Sequence, residues 1–87
     1  MEYYVYILRS LKDSKRYIGI TTDPDRRLYE HNTGLVLSTK GRRPFVRIYL
    51  EKCINRQAAR KREKYFKSGG GRRFLKRFEN CARSSTG

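Results

Sequence analysis

Two strand-like runs near the start of the chain lie so close together that only a tight turn can join them. The first run covers Tyr3–Leu8 and the second covers Arg16–Thr21, and both are rich in β-branched and aromatic residues. The link between them, Ser10–Lys15, is short and polar. Two strands joined this closely are typical of a hairpin. The sequence therefore predicts an antiparallel pair at the N-terminal end of the fold.

The two faces of this hairpin can be assigned by parity alone, because facing side chains of an antiparallel pair share a face. One face is predicted to be apolar and to carry Val5, Ile7, Ile18 and Ile20. The other face is predicted to carry Tyr4, Tyr6, Leu8, Tyr17 and Gly19. Glycine at such a position leaves room for another backbone or a ligand to approach. Alternating tyrosines are usually packing residues, so this pattern alone indicates structure rather than function.

Helix signals follow directly after the hairpin. Asp23 is a good N-cap, Pro24 suits the first helical position, and Gly34 is a plausible stop. These signals predict a first helix of nearly three turns. A loop is then expected over Leu35–Arg43, and a third strand over Phe45–Cys53.

The C-terminal half of the chain is predicted to be helical. Asn55 caps a second helix that runs to about Lys67, the glycine run Gly69–Gly71 interrupts it, and a third helix covers Arg72–Phe78. Residues 80–87 are small and polar, so we expect a frayed, disordered tail. The order β-β-α-β-α-α predicts one α+β domain over residues 1–79, with a small three-stranded antiparallel sheet flanked by helices.

The charge of the chain points to a polyanionic partner. The 87 residues include 22 Lys and Arg against 8 Asp and Glu, a formal net charge of +14. Such self-repulsion opposes compaction and is usually tolerated for nucleic acid or an anionic membrane surface. The longest apolar run is far shorter than the ~20 residues that span a bilayer. Neither a membrane partner nor a signal peptide is expected, so we expect a cytoplasmic protein.

Several kinds of site are disfavoured by residue counts. A single histidine excludes a His-rich zinc site and argues against a Ser-His-Asp triad. Cys53 and Cys81 lack the C-x-x-C spacing of zinc or redox motifs and are interpreted as buried or incidental thiols. Eight scattered acids argue against a carboxylate cluster that holds two metals.

Polar residues sit where the first helix should be buried. Arg27 and His31 flank the apolar Leu28 at helical spacing, whereas Arg26 and Glu30 lie one turn apart on the opposite side and can pair there. Arg27 could be a surface arginine that snorkels. His31 could simply interact with the helix dipole.

A carboxylate also falls on the inward stripe of the second helix. Glu63 shares this stripe with Ala59 and Phe66, while basic residues lie largely around it. Burying a carboxylate is costly unless a cation meets it. A salt bridge with an arginine is the more common outcome, and a metal ion is the alternative.

These positions occur in a recognisable order along the chain. Tyr17–Gly19 spells Tyr-Ile-Gly, and Tyr4–Tyr6 stands upstream of it at a suitable distance; Arg27, His31 and Glu63 follow on two helices. In this order they resemble the GIY-YIG nuclease family, in which the first element is Gly-Ile-Tyr. The resemblance covers essentially the whole predicted fold. It is closest to the small, stand-alone bacterial branch of the YhbQ type, most members of which are uncharacterised, and Tyr4 in place of glycine is typical of that branch.

The resemblance implies metal-dependent hydrolysis of a phosphodiester, with a role in DNA repair or processing. Tyr17 would be the general base or would orient water. Tyr6 would bond the attacking water or a phosphate oxygen, and His31 would relay a proton or bind phosphate. Arg27 would hold the scissile phosphate. Glu63 would bind one divalent cation, Mg²⁺ or Mn²⁺, with water and substrate completing the coordination.

The remaining basic residues form two groups suited to contacts with a nucleic-acid backbone. They are Lys40, Arg42, Arg43, Lys67, Arg72, Arg73, Lys76 and Arg77. Such contacts confer affinity with little sequence preference. We therefore expect the chain to recognise nucleic-acid structures such as flaps, nicks or branches. DNA is a more favoured partner than RNA, and a monomer is favoured over an oligomer.

Two other interpretations fit the same residues. The chain could be a non-catalytic nucleic-acid-binding module in which the tyrosines pack or stack on bases and Glu63 forms a salt bridge. It could also be a small basic partner protein that acts only within a larger assembly. Solvated surface charge is the alternative explanation for the two basic groups.

Overall fold

The computed structural model describes residues 2–86, and the side chains of residues 2–78. Its strands are β1 (Tyr3–Ser10), β2 (Arg16–Thr21) and β3 (Phe45–Cys53), and its α-helices are α1 (Pro24–Thr33), α2 (Arg56–Lys67) and α3 (Gly69–Thr86). The strands form an antiparallel sheet in the order β2-β1-β3. The predicted α+β class and the order β-β-α-β-α-α are confirmed.

The hairpin has the two faces that parity predicts. Ile7 pairs with Ile18 and Val5 with Ile20, and these residues pack with buried side chains of α2 and α3. On the other face, Tyr6 and Leu8 form a second cluster with Phe45, against which Tyr17 and Leu28 of α1 pack. The sheet therefore separates α1 from the α2–α3 pair, and both tyrosines lie on the α1 side.

A β-bulge lets β3 contribute to both layers. The register with β1 shifts between Ile7, which pairs with Tyr49, and Leu8, which pairs with Arg47. Side chains alternate along a strand, so without this shift the odd-numbered residues of β3 would share one face. With it, Arg47 reaches Asp25 of α1 at 2.8 Å, while Tyr49 packs on Phe66 of α2. The extra residue reverses the alternation in mid-strand.

The predicted helix ends are found in the structure. The Asp23 side chain accepts a hydrogen bond from Arg26 N at 3.2 Å, Pro24 is the first residue of α1, and Gly34 ends the helix with a φ of 85°. This left-handed conformation favours glycine. Asn55 caps α2 by accepting from Ala58 N at 2.8 Å.

Two predictions for the connecting segments are wrong. The segment expected to be a loop, Leu35–Arg43, contains a 3₁₀ helix over Leu37–Arg42, because Thr39 is tied back to α1 through His31. The glycine run does not separate the last two helices: the break is at Ser68, and α3 begins at Gly69. A Cβ on Gly71 would overlap the backbone of Tyr65 and Phe66, so the run allows the start of α3 to pack closely on α2.

The last helix is longer than the predicted Arg72–Phe78, since its backbone runs to Thr86. The tail expected over 80–87 falls on residues whose side chains lie outside the described part of the chain, and Cys81 is among them. That expectation and the domain boundary at residue 79 stay predictions. Cys53 is buried in the core as expected, and burial raises the pKa of its thiol. Within residues 2–86, no helix is long and apolar enough to cross a membrane.

Candidate active site

Four of the predicted site residues meet on the α1 side of the sheet. The rings of Tyr6 and Tyr17 are 6.2 Å apart between centroids, and the ring of His31 lies 4.7 Å from that of Tyr17. Arg27 reaches the same place from α1, with its Nε donating to the Tyr6 hydroxyl at 3.4 Å. Residues that are distant in sequence, on β1, β2 and α1, thus form one polar cluster.

Hydrogen bonds through this cluster run in one direction. The Tyr6 hydroxyl lies 3.2 Å from His31 Nε2, and His31 Nδ1 lies 2.7 Å from Thr39 Oγ1. The hydroxyl of Thr39 in turn donates to the carbonyl of Val36 at 3.4 Å. Tyr6 accepts from Arg27, so its own proton can be donated to His31 Nε2. A neutral His31 that carries its proton on Nδ1 then donates to Thr39, and every group in this series of hydrogen bonds has a partner.

The pKa directions agree with this assignment. Burial raises the pKa of Tyr6 to about 12, against the opposing effect of Arg27, and the nearby Tyr17 also raises it. Burial lowers the pKa of His31, and the charge of Arg27 lowers it further. Both groups are therefore neutral near pH 7: the tyrosine keeps its proton and the imidazole does not take one up.

The glycine of the Tyr-Ile-Gly motif makes room for the ring of Tyr6. Gly19 faces Tyr6 across the β1–β2 pair. A Cβ on Gly19 would lie 2.5 Å from the Tyr6 hydroxyl oxygen and 2.7 Å from Cζ. The space that the sequence pattern predicts for a backbone or ligand is thus filled by this side chain.

The members of the cluster differ in their access to solvent. His31 is completely buried and Tyr6 is only 2% exposed. Arg27 is 35% exposed in its side chain, and Tyr17 is half-buried. Solvent therefore reaches Tyr17 and Arg27 directly, whereas His31 lies behind Tyr6.

Comparisons with known proteins identify the family of this chain. Residues 2–76 match the GIY-YIG catalytic domain. The chain belongs to the GIY-YIG family. It is 41% identical over 63 residues to a UPF0213 protein of Oceanobacillus iheyensis, covering 71% of this chain and 72% of that protein. It is 37% identical over 79 residues to a UPF0213 protein of Staphylococcus haemolyticus, covering 90% and 95%.

A solved structure supports the same assignment. The GIY-YIG fold of this chain is similar to the solution NMR structure of the UPF0213 protein BH0048 from Bacillus halodurans, with 36% identity and a TM-score of 0.52. The match covers 86% of this chain and 82% of that one. The resemblance inferred from the motifs is thereby confirmed.

The remaining predicted site residue, Glu63, projects from α2 and is not part of this cluster, since among the described side chains no hydrogen bond or ion pair joins it to the other four. Its side chain is 19% exposed, and Lys67 approaches Oε2 at 3.5 Å. Among the residues whose side chains are described, no three His, Cys, Asp or Glu residues are grouped so as to hold a metal ion. Mg²⁺ nevertheless keeps several waters and is commonly held by one or two carboxylates together with substrate phosphates. Glu63 could therefore hold a divalent cation as a single carboxylate ligand. In this structure the carboxylate already faces the positive charge of Lys67.

The predicted backbone-binding residues occupy two regions of the GIY-YIG domain. In the first, Arg42 pairs with Asp13 at 3.0 Å and Arg43 Nε donates to the carbonyl of Lys40 at 2.8 Å, so both side chains also hold local structure. In the second, Lys67 ends α2 and the others follow on exposed positions of α3: Arg72, Arg73, Lys76 and Arg77.

Some contributors to the site were not predicted from the sequence. Thr39 is completely buried and orients His31. Asn32 donates to the carbonyl of Phe45 at 3.0 Å and accepts from its N–H at 2.6 Å, fastening the end of α1 to β3. Asn32 directly follows His31, and a polar residue at the buried end of a helix is the signal that could have identified it. Thr39 carried no comparable signal within a segment expected to be a loop.

Proposed function

We propose that the protein is a metal-dependent endonuclease that hydrolyses phosphodiester bonds, preferably in DNA, and that it selects substrates by structure in repair or processing. The observation that supports this most directly is the convergence of Arg27 with both motif tyrosines on one face of the sheet. An arginine that is only partly engaged within the protein still has N–H donors to offer a phosphate.

Tyr17 is the residue proposed to act on the attacking water. It is more accessible than Tyr6, whose hydroxyl is already bonded to Arg27 and His31. Tyr17 would orient the water, and in its phenolate form it would take the water's proton as the oxygen attacks phosphorus and the bond to the 3′ oxygen breaks; the leaving 3′ oxygen would take up a proton from solvent. Tyr6 and His31 are proposed to fix the position of Tyr17 and Arg27 rather than to touch the substrate.

Arg27 is proposed to bind the scissile phosphate. Its Nη1 lies 3.2 Å from Glu30 Oε1 while Nε contacts Tyr6, so the guanidinium is held from two sides. A preorganised cation of this kind stabilises negative charge that develops in the transition state without reorganising. A divalent cation on Glu63 would, when bound, add stabilisation of the leaving group's charge.

The test is a cleavage assay on nicked, flapped, branched and single-stranded DNA and RNA, with Mg²⁺ and with Mn²⁺. Wild-type protein should cut at least one of these structures, and chelation should stop the cutting. The variants Tyr17→Phe and Glu63→Gln should lose about 10²-fold or more in rate while retaining binding. Tyr29→Phe is the matched control, because this tyrosine of α1 is 65% exposed and should cut normally.

A non-catalytic nucleic-acid-binding role is the second candidate because of the charge of +14. Highly purified protein that binds these substrates in a salt-sensitive way and cuts none of them would support that role instead. A role as a small basic partner protein predicts neither tight binding nor cleavage by the isolated chain.

A further inference from the structure

A groove with a basic rim runs along the outer edge of β2, and Tyr17 is one of the residues that line it. Its volume is about 530 Å³, and it is bounded by the start of β2, the end of α2 and the start of α3. We call it the β2–α3 groove. Four cationic residues line it together with Tyr17, namely Lys15, Arg16, Lys67 and Arg72.

The position of this groove follows from the order of the sheet. Consecutive side chains of a strand point to opposite faces, so a cavity lined by three successive strand residues, from Arg16 to Ile18, lies along the edge of β2, and the turn residues Ser14 and Lys15 extend it. The order β2-β1-β3 places β2 at the margin of the sheet. Edge strands present backbone N–H groups that can donate to a ligand.

Three separate elements supply the positive charges of the groove. Lys15 and Arg16 come from the β1–β2 turn and the first residue of β2, Lys67 is the last residue of α2, and Arg72 lies in the first turn of α3. Lys67 also contacts Glu63 at 3.5 Å, which connects the groove to the proposed cation ligand. The charges are thus gathered on a concave surface rather than spread along one helix.

We propose that the β2–α3 groove binds the phosphate backbone of a single nucleic-acid strand that extends from the cleavage position. A cavity of this volume has the size of a small-ligand site and accommodates a short piece of one strand, not the full width of a duplex. Positively charged grooves that follow one backbone are typical of single-strand binding. This inference rests on the proposed function and adds its substrate class: a phosphodiester next to an unpaired strand.

The test compares two charge-neutralising variants of the full chain. Lys15→Gln/Arg72→Gln removes two positive charges from the groove. Lys61→Gln/Lys64→Gln removes two positive charges from the surface of α2 that these lysines form with Arg56 and Arg60. Tyr17→Phe is included in all proteins to prevent cleavage. Binding of fluorescein-labelled oligothymidylate is measured by anisotropy over a range of salt concentrations, after thermal unfolding has confirmed that both variants fold.

The groove variant should bind oligothymidylate about fivefold to tenfold more weakly at low salt. The slope of log affinity against log salt should fall by about 1.4, since each lost contact to a single-stranded phosphate removes about 0.7. The α2 variant should show the same slope as the protein that carries Tyr17→Phe alone. Equal losses in the two variants would overturn the proposal, because they would show only a general effect of net charge.

A second measurement separates a single strand from a duplex. The preference of the protein for a flapped duplex over a blunt duplex of the same length should decrease towards one in the groove variant only. Equal weakening on both substrates would overturn the single-strand assignment.

If wild-type protein cuts nothing but these binding results hold, the proposed function fails while the groove stands. Normal cleavage by the wild type, together with unchanged binding by the groove variant, would overturn the groove and leave the proposed function intact.

Discussion

At the scale of single residues, the site depends on how the Tyr6 side chain is held. Its hydroxyl contacts Arg27 and His31, and its ring lies against Gly19. These contacts leave the hydroxyl proton one direction in which to point, towards His31. Glycine is thus needed at position 19 so that the Tyr6 ring can pack there. Gly19 would affect the candidate site only through the position of Tyr6.

We predict that Gly19→Ala destabilises the fold by about 1–3 kcal/mol, because its Cβ overlaps the Tyr6 ring and forces it to move. Displacement of Tyr6 should also reduce cleavage. Urea unfolding and the cleavage assay measure the two effects. Gly41→Ala is the control, since a Cβ there meets nothing within 4 Å, and its stability should change by less than about 0.5 kcal/mol. Equal effects at both positions would contradict the packing argument.

We predict that His31 makes the fold less stable in mild acid. Its pKa is lowered from 6.5 by burial and by Arg27, so below pH 6.5 the unfolded chain binds a proton that the folded chain does not. The free energy of unfolding therefore decreases as the pH falls through this range, and the contribution is fully present above it. Urea unfolding between about pH 7.5 and 5.5 measures the slope.

The control for this pH dependence is His31→Gln, which removes the chain's one histidine. The variant should be less stable overall, because it disrupts the contacts to Tyr6 and Thr39, but its stability should vary less with pH over this interval. The same slope in both proteins would show that other groups cause the dependence.

At the scale of elements, a partly buried ion pair connects α2 to β3. Arg62 donates to both oxygens of Glu51, at 2.6 and 3.0 Å, and Tyr49 donates to the same carboxylate at 2.8 Å. These bonds lower the pKa of Glu51, with the bond from Arg62 as the largest cause. The guanidinium also lies 4.8 Å from the centroid of the Phe66 ring. Such two-pronged contacts fix orientation as well as distance.

We predict that Glu51→Gln lowers the free energy of unfolding by about 1 kcal/mol, since the pair is partly solvent-exposed and solvent screens its charges. Glu63→Gln should change stability by less than about 0.5 kcal/mol, because its ion pair with Lys67 is long and the lysine is exposed. Chemical unfolding of the two variants checks this contrast. A larger loss in Glu63→Gln would mean that this carboxylate has a structural role.

Local signals predicted the elements well because caps and strand periodicity are encoded by neighbouring residues. Asp23, Gly34 and Asn55 mark helix ends in the sequence, and parity gave the faces of the hairpin. The ion pair of Glu51 was not predicted, and the sequence did not identify Lys67 as the cation that approaches Glu63. Both contacts depend on geometry that the pattern of apolar residues along the chain does not supply.

The composition of the candidate cluster was predictable for a similar reason. Tyr6, Tyr17, Arg27 and His31 share faces that periodicity reveals, and the structure brings them together. Thr39 was missed because its role arises from the fold of a connecting segment. The roles of these residues in catalysis stay predictions.

At the scale of the whole molecule, the charge acts on folding and on binding in opposite ways. The radius of gyration is 13.0 Å, comparable to the Debye length of about 10 Å in 0.1 M salt. Many like charges therefore repel one another across the molecule at low salt. The same field attracts a polyanion.

We predict that raising NaCl from about 50 to about 500 mM raises the melting temperature and weakens nucleic-acid binding. Screening relieves the self-repulsion of a chain with a net charge of +14, and it also reduces the gain from counterion release. Thermal unfolding and fluorescence anisotropy over one salt series measure the two trends. A melting temperature that falls with salt would show that ion pairs such as Arg47–Asp25 outweigh the repulsion.

Because of the bulge in β3, substitutions in the two halves of that strand should affect different layers of the fold. Arg47, before the bulge, faces α1, whereas Tyr49 and Glu51, after it, face the opposite layer. Substitutions in the first half of the strand can therefore disturb the α1 side of the sheet, which holds the candidate site, while sparing the main core, and substitutions in the second half can do the reverse. Ile48 is the residue without a partner in the register, so a chain that lacked it would pair regularly and keep each half of β3 on its present layer.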